Sequence, residues 1–167
     1  MNENLTGPTS AFISAFQKFL HEDALRIVET EALSHFQNSF VYQGFTDKSL
    51  VKWPARKIPR RKNGKPVTGK TLEKWKAKNE GRALLISHAS DTKGTHMANS
   101  ITSELAPGKV TIIVDKPYAQ VHNDGLRAGR PPGFTMPQRQ FIGPSEKLEQ
   151  KIQAKFEKEI DKLIKKF

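Results

Sequence analysis

The stretch Ser100–Val114 reads SITSELAPGKVTIIV, and its reading decides the fold. Ile101, Ser103 and Leu105 alternate with polar Thr102 and Glu104, the period of two expected of a strand that buries one face. Val110-Thr-Ile-Ile-Val114 is almost entirely β-branched, which suits a strand better than a helix. Between the runs stands Ala106-Pro107-Gly108-Lys109, with Pro and then Gly in the middle of a tight turn. The stretch therefore predicts an antiparallel hairpin. A connection this short has no room for the crossover helix that joins parallel strands, so a doubly wound parallel sheet is excluded.

Working outward, the apolar period changes from two to between three and four. Leu25, Val28, Ala32, Phe36 and Phe40 fall on one face of a helix over residues 24 to 40. Upstream, Pro8 suits a first helical position, and Phe12, Phe16, Phe19 and Leu20 form a second stripe. His21-Glu22-Asp23 is read as the bend or join between them. At the other end, Ser145 is placed to cap a long helix carrying Leu148, Ile152, Phe156, Ile160, Leu163 and Phe167. Burying that stripe would contribute on the order of 10 kcal/mol before entropy, so it must dock on this chain or on a neighbour. A further strand is expected over Phe134 to Ile142, with Gly125 to Gly133 as a flexible excursion before it. The fold class expected is α+β: N-terminal helices, a small antiparallel β-sheet built on the central hairpin, and a long C-terminal helix, all in one domain over residues 1–167.

The net charge of +11 is concentrated rather than spread. Residues 1 to 50 carry −3, residues 51 to 82 carry +10, and the rest +4. The basic segment holds three Pro and three Gly and no apolar period in its first half, which predicts a solvated, flexible loop at about 52–80. Within it, GKPVTGKT (Gly64–Thr71) satisfies the phosphate-loop pattern at every fixed position. Such a loop works because a buried strand delivers it to a packed helix. Here Arg60-Arg61-Lys62-Asn63 occupies the place of that strand, and Pro66 removes a donor. Val110–Asp115 has the form of a magnesium-binding strand but is already assigned to the hairpin. The match is read as chance within a basic loop. Arg56, Lys57, Arg60, Arg61, Lys62, Lys65 and Lys70 are instead candidates for contact with DNA or a partner.

The chain has no Cys, and its five His show no metal-ligand spacing, so neither a disulfide scaffold nor a closed zinc site is expected. No serine stands in a nucleophile elbow. These readings predict no enzyme and no cofactor. The opening residues lack the basic and apolar regions of a secretory leader, and no apolar run reaches the roughly 20 residues of a membrane span, so synthesis in a cytoplasm and no membrane are expected.

Several short motifs occur in a fixed order. Phe40 to Trp53 with Pro54 forms an aromatic and W-P segment, Arg82-Ala-Leu-Leu85 an R-x-L-L run, and Met97-Ala-Asn-Ser-Ile101 the approach to the hairpin. Pro117-Tyr118-Ala119-Gln120-Val121-His122-Asn123-Asp124-Gly125 and Met136-Pro137-Gln138-Arg139-Gln140-Phe141-Ile142-Gly143 follow before the last helix. Together these resemble the phage virion morphogenesis family, typified by tail completion proteins of Mu-like phages. The likeness runs from about residue 10 onward. Met97 stands where that family usually has Leu, and Ser87 to Gly94 is longer than its brief Ser-Gly turn.

The resemblance implies a structural protein of a phage or prophage that acts in tail completion or head-tail joining as a ring-forming homo-oligomer. Its partners would be other tail or connector proteins, in the virion and, during assembly, in the bacterial host cytoplasm. On that picture Tyr118, His122 and Arg139 are candidates for a subunit interface. The plainer reading has Tyr118 and His122 plug the end of the core, Phe141 join the core, and Arg139 hold a loop by pairing with a carboxylate. The alternative function is a non-specific nucleic-acid-binding module that uses segment 52–82, where Trp53 and Trp75 would stack on bases among the cations.

Overall fold

The computed structural model describes residues 8–85 and 96–167. The chain before Pro8 and the long turn expected at Ser87 to Gly94 lie outside the described residues. Helix α1 (Pro8–Lys18) continues through one π-helical turn, Phe19–Asp23, into α2 (Ala24–Tyr42). The expected bend is thus a join in which one extra residue is inserted without leaving helical backbone. Its consequence is to bury Phe19 at 3% exposure while turning Leu20 out at 48%, so Leu20 does not share the apolar stripe.

α2 runs along the core. Ala32, Phe36 and Phe40 are buried, and the helix ends at Gln43 in the left-handed conformation, with φ of 51°. A glutamine is held there by its own amide. Nε2 donates to the carbonyl of Phe40, and Oε1 accepts from the backbone N–H of Leu84. Next come β1 (Gly44–Thr46) and β2 (Leu50–Lys52), an antiparallel pair in which Gly44 faces Lys52. A Cβ at Gly44 would stand 2.5 Å from the Val51 carbonyl oxygen, so the close approach of the two strands requires glycine.

β3 (Ile101–Ala106) and β4 (Lys109–Val114) form the expected hairpin, antiparallel from Ile101↔Val114 to Ala106↔Lys109, after a short 3-10 turn at Met97–Ser100. Ile101 is buried and Ser103 Oγ donates to Glu29 Oε1 of α2 at 2.6 Å, so this face lies on the helix. Leu105, farther along, is 44% exposed and leaves the expected buried face at the hairpin's tip.

The α+β class stands as expected, and three details within it differ. The small sheet is three separate two-stranded ribbons, the third being β5 (Arg127–Ala128) with β6 (Phe134–Thr135). The strand expected over Phe134 to Ile142 stops at Thr135, because Pro137 has no N–H to continue a ladder and the following N–H groups are committed elsewhere. Arg139 N donates to His122 O at 2.7 Å, and both Phe141 N and Ile142 N donate to Asn123 Oδ1 at 2.9 and 3.1 Å. Asn123 lies on α4 (Ala119–Asp124). The loop expected over 52–80 is also not loop throughout, since α3 (Gly69–Asn79) forms within it.

Helix α5 (Glu146–Lys166) begins as expected. Ser145 Oγ accepts from Leu148 N at 3.1 Å and donates to Thr46 O at 2.9 Å, so one hydroxyl caps the helix and ties it to β1. Its apolar face docks on this same chain. Leu148 enters the core, Phe156 meets Phe19 edge-on at 5.9 Å, and Phe167 meets Phe12 at 5.9 Å. Between α2 and α5, Glu31 is 3% exposed, and the ammonium groups of Lys151, at 2.6 Å, and Lys155 close over its carboxylate. Burial raises the carboxyl's pKa, but the two lysine contacts win and hold it below its ordinary value.

The core that unites these elements contains Phe36, Phe40, Phe45, Trp53, Met97, Ile101, Phe141 and Leu148. Phe141, at 1% exposure, is a core residue as the sequence reading expects. Among the described residues, no helix is long and apolar enough to cross a membrane.

Candidate functional site

Trp53 fixes the start of the basic segment. Its ring packs edge-on against Phe40 at 5.4 Å, its backbone N–H reaches Gln43 O at 2.8 Å, and its indole Nε1 donates to Gln140 O at 2.6 Å. The last bond ties residue 53 to the segment just before Phe141. Pro54 and Arg56 follow directly, and this brings them beside Arg139.

Arg139 is buried, at 7% exposure. Its Nε and Nη2 donate to Pro54 O at 3.2 and 3.0 Å. The expected carboxylate partner is replaced by a neutral backbone carbonyl, because the strand-like reach of residues 136 to 142 is turned toward the W-P segment instead. Arg56 behaves alike, with Nη1 donating to Arg82 O at 2.6 Å and Nη2 to Ala83 O. Those bonds hold Arg82 to Leu85, whose leucines pack on the core. Neither Arg56 nor Arg139 forms an ion pair among the described residues. Both guanidinium groups are held below their ordinary pKa, by burial first and then by a like charge: Arg82 acts on Arg56, and Arg56 on Arg139.

Two clefts meet at this cluster. One, of about 570 Å³, is lined by Trp53, Arg56, Trp75, Glu80, Arg82 and Leu84 among others. The second, of about 430 Å³, is lined by Arg56, Lys57, Trp75, Phe134, Pro137 and Arg139 among others. Trp75, from α3, and Arg56 belong to both walls.

The seven candidate cations of the basic segment are therefore divided. Arg56 and Lys57 line the clefts, whereas Arg60, Arg61, Lys62, Lys65 and Lys70 are exposed farther along. There a small loop closes on itself through Arg61 N to Lys65 O and Gly64 N to Arg61 O, with Val67 N to Pro59 O behind it. Arg60 Nη1 donates to Gly64 O and Arg61 Nη2 to Thr68 Oγ1. The GKPVTGKT match leads into α3, but the strand before it, β2, ends at Lys52 and does not run into Gly64, and β4 is the arm of an antiparallel hairpin. The geometry that cradles a nucleotide phosphate is not built here.

The second set, Tyr118, His122 and Arg139, is joined through the backbone but not as one surface. Tyr118 is 45% exposed and meets the His122 ring edge-on at 6.1 Å. His122 is half-buried, and burial together with the Arg139 charge lowers its pKa, which favours the neutral ring. Arg139 turns away, into the cleft. Ala119, not Tyr118, is the residue of this turn that enters the core. Gly125, with φ of 68°, ends α4 so close to Gln138 that a Cβ would lie 2.9 Å from that side chain.

Sequence reasoning did not anticipate that Arg56 and Arg139 are neighbours, because they are far apart along the chain and their segments are tied by the Trp53 bond to Gln140 O and the Arg139 bonds to Pro54 O. It also missed Asn123, whose one oxygen orders the turn into Phe141; its position inside the Pro117–Gly125 motif was the available signal. No group of three or more His, Asp or Glu able to hold a metal occurs among the described residues.

Comparison with known proteins gives one match. A sequence model described as the phage virion morphogenesis family matches residues 48–161. No curated protein and no solved structure matches.

Proposed function

Since the chain belongs to the phage virion morphogenesis family, we propose that it is a structural subunit that completes the tail or joins head to tail, working as a ring of identical copies. The observation that carries this reading is the state of the central hairpin. β3 pairs with β4, and neither outer edge of the ribbon pairs with another strand among the described residues. Exposed strand edges invite pairing with another chain, and a repeated head-to-tail contact that closes into a ring covers every such edge. The apolar stripe of α5 meanwhile docks within the chain through Leu148, Ile152 and Phe156, while Phe167 at its end is 47% exposed. Contacts between copies thus fall to the hairpin and to exposed side chains such as Tyr118. The role asks for no catalysis and no cofactor, and it places the protein in the virion after assembly in the host cytoplasm.

Electron microscopy of lysates from phage lacking this protein tests the reading. Filled heads and tails that accumulate unjoined, or tails of abnormal length, are the expected result. Particles of normal form and number would overturn it.

A second reading is favoured by one feature, the exposed cations Arg60, Arg61, Lys62, Lys65 and Lys70, none of which pairs with a carboxylate among the described residues. They suit non-specific contact with DNA phosphates. Affinity for random duplex should fall steeply with added salt and weaken when Arg60, Arg61 and Lys62 become Ala. Binding indifferent to both would eliminate the phosphate contact.

A further inference from the structure

We propose that the joined clefts around Arg56, Arg139 and Trp75 bind carboxylate side chains of an acidic peptide segment on a partner protein. The assignment does not depend on which assembly step the chain serves. It rests on how charge is distributed at the site. Leaving Arg82 and Glu80 aside, the described lining of the two clefts holds four cationic side chains, Arg56, Lys57, Lys76 and Arg139, and no other acidic one. The two arginines at the centre give their hydrogen bonds to the carbonyls of Pro54, Arg82 and Ala83. A carbonyl satisfies a donor but cancels no charge, so among the described residues the charges of Arg56 and Arg139 are left for an anion to balance. Guanidinium is the cation whose planar fork matches a carboxylate, and it stacks readily on an indole such as Trp75.

The shape of the site selects the class of anion-bearing partner. Arg139 is 7% exposed and recessed beside Pro137 and Phe134, whereas the cations of residues 60 to 70 are exposed on the surface. A rigid duplex meets the exposed cations but does not lower a phosphate into a recess walled by aromatic rings. A Glu or Asp side chain on a flexible peptide is narrow enough to enter. The larger cleft, about 570 Å³, has the volume of a site for a few side chains.

The test uses the full chain and fluorescently labelled octaglutamate, with octalysine and a random duplex as competitors, read by anisotropy at low salt. Octaglutamate is expected to bind. Arg139→Gln should weaken it about tenfold or more. The exposed rim variant Lys57→Glu should weaken it in the same direction, which keeps the test decisive if Arg139→Gln unfolds. The triple variant Arg60→Ala, Arg61→Ala, Lys62→Ala should change it by no more than about twofold, as expected for exposed charges at a distance. Octaglutamate that does not bind, that binds Lys57→Glu as well as the parent chain, or that depends on the triple rather than on the cleft variants, would overturn the assignment. Duplex that competes fully and loses affinity in Lys57→Glu to the same degree would make this a phosphate site and equally overturn it.

Discussion

Glu31 and Arg139 are both nearly closed to solvent, at 3% and 7% exposure, yet their surroundings are opposite. Glu31 lies between two helices and is neutralised by Lys151 and Lys155, each about half exposed and free to approach from outside. Arg139 lies among loops and, among the described residues, its guanidinium donates to the Pro54 carbonyl, with Arg56 as a like-charged neighbour. The difference teaches where this chain spends its stability and where it holds charge in reserve. Compensation is complete where α2 meets α5 and the frame must not move. Around Arg56 and Arg139, at the edge of the basic segment, no carboxylate pairs with either guanidinium among the described residues, and the imbalance is available to a partner. Buried charges without partners are costly, so an uncompensated cluster retained in a folded chain points outward to function.

The largest effect that would break this contrast comes from stripping Glu31 of both partners. Lys151→Met with Lys155→Met should cost about 3–5 kcal/mol at pH 7, because it leaves a buried carboxylate alone. The sign with pH then differs between the two proteins. In the parent chain the Glu31 pKa is lowered, so its contribution is present above the ordinary value of 4.5 and is lost as pH falls through the depressed one. In the double variant only burial remains, the pKa rises, and acid relieves the penalty. Urea unfolding at pH 7 and pH 4 should therefore show the gap between variant and parent shrinking toward acid. A gap that stays constant would mean that Glu31 is not compensated as described.

A smaller effect is expected on the other side. Arg139→Met removes two donors from one carbonyl, at about 1–2 kcal/mol, but also relieves repulsion from Arg56, so the net loss should be about 1 kcal/mol or less. Added salt should stabilise the parent more than this variant, since screening matters only while the like charges face each other. Denaturation midpoints at two salt concentrations decide it. A loss as large as that of the double lysine variant would show Arg139 to be a structural post and not a reserve of charge.

The two regions also differ in how far the sequence reveals them. The hairpin, the stripes of α2 and α5 and the Ser145 cap are written in local periods and in one hydroxyl, and each stands where those signals place it. Glu31 shows no such signal, because its lysines belong to a helix more than a hundred residues later and look like ordinary surface charges. The same holds for Arg139. Residues 136 to 142 have apolar spacing that suits a strand, and only the position of Asn123 and the carbonyl of Pro54 turn them aside. The basic segment reads as loop because α3 carries just Leu72 and Trp75 on its apolar face, too little to signal a helix. Local patterning is legible, and pairings made by the closed fold are not.

The smallest expected effect lies at the border of the two regimes, at Tyr118. Its ring covers His122, whose pKa burial and the Arg139 charge lower. A histidine with a lowered folded pKa binds fewer protons folded than unfolded, so stability is lost as pH falls below its ordinary value of 6.5. Tyr118→Ala removes a half-exposed ring and should change stability at pH 7.5 by no more than about 0.5 kcal/mol. By admitting water to His122 it should also reduce the loss between pH 7.5 and pH 5.5, so that the variant's profile is flatter than the parent's. Paired unfolding curves at the two pH values check this. A large loss at pH 7.5 would assign Tyr118 to the core it was first read as plugging. A near-neutral one, with the flatter profile, leaves the exposed ring free for a neighbouring subunit, and a drop in particle yield without loss of stability would then locate the contact.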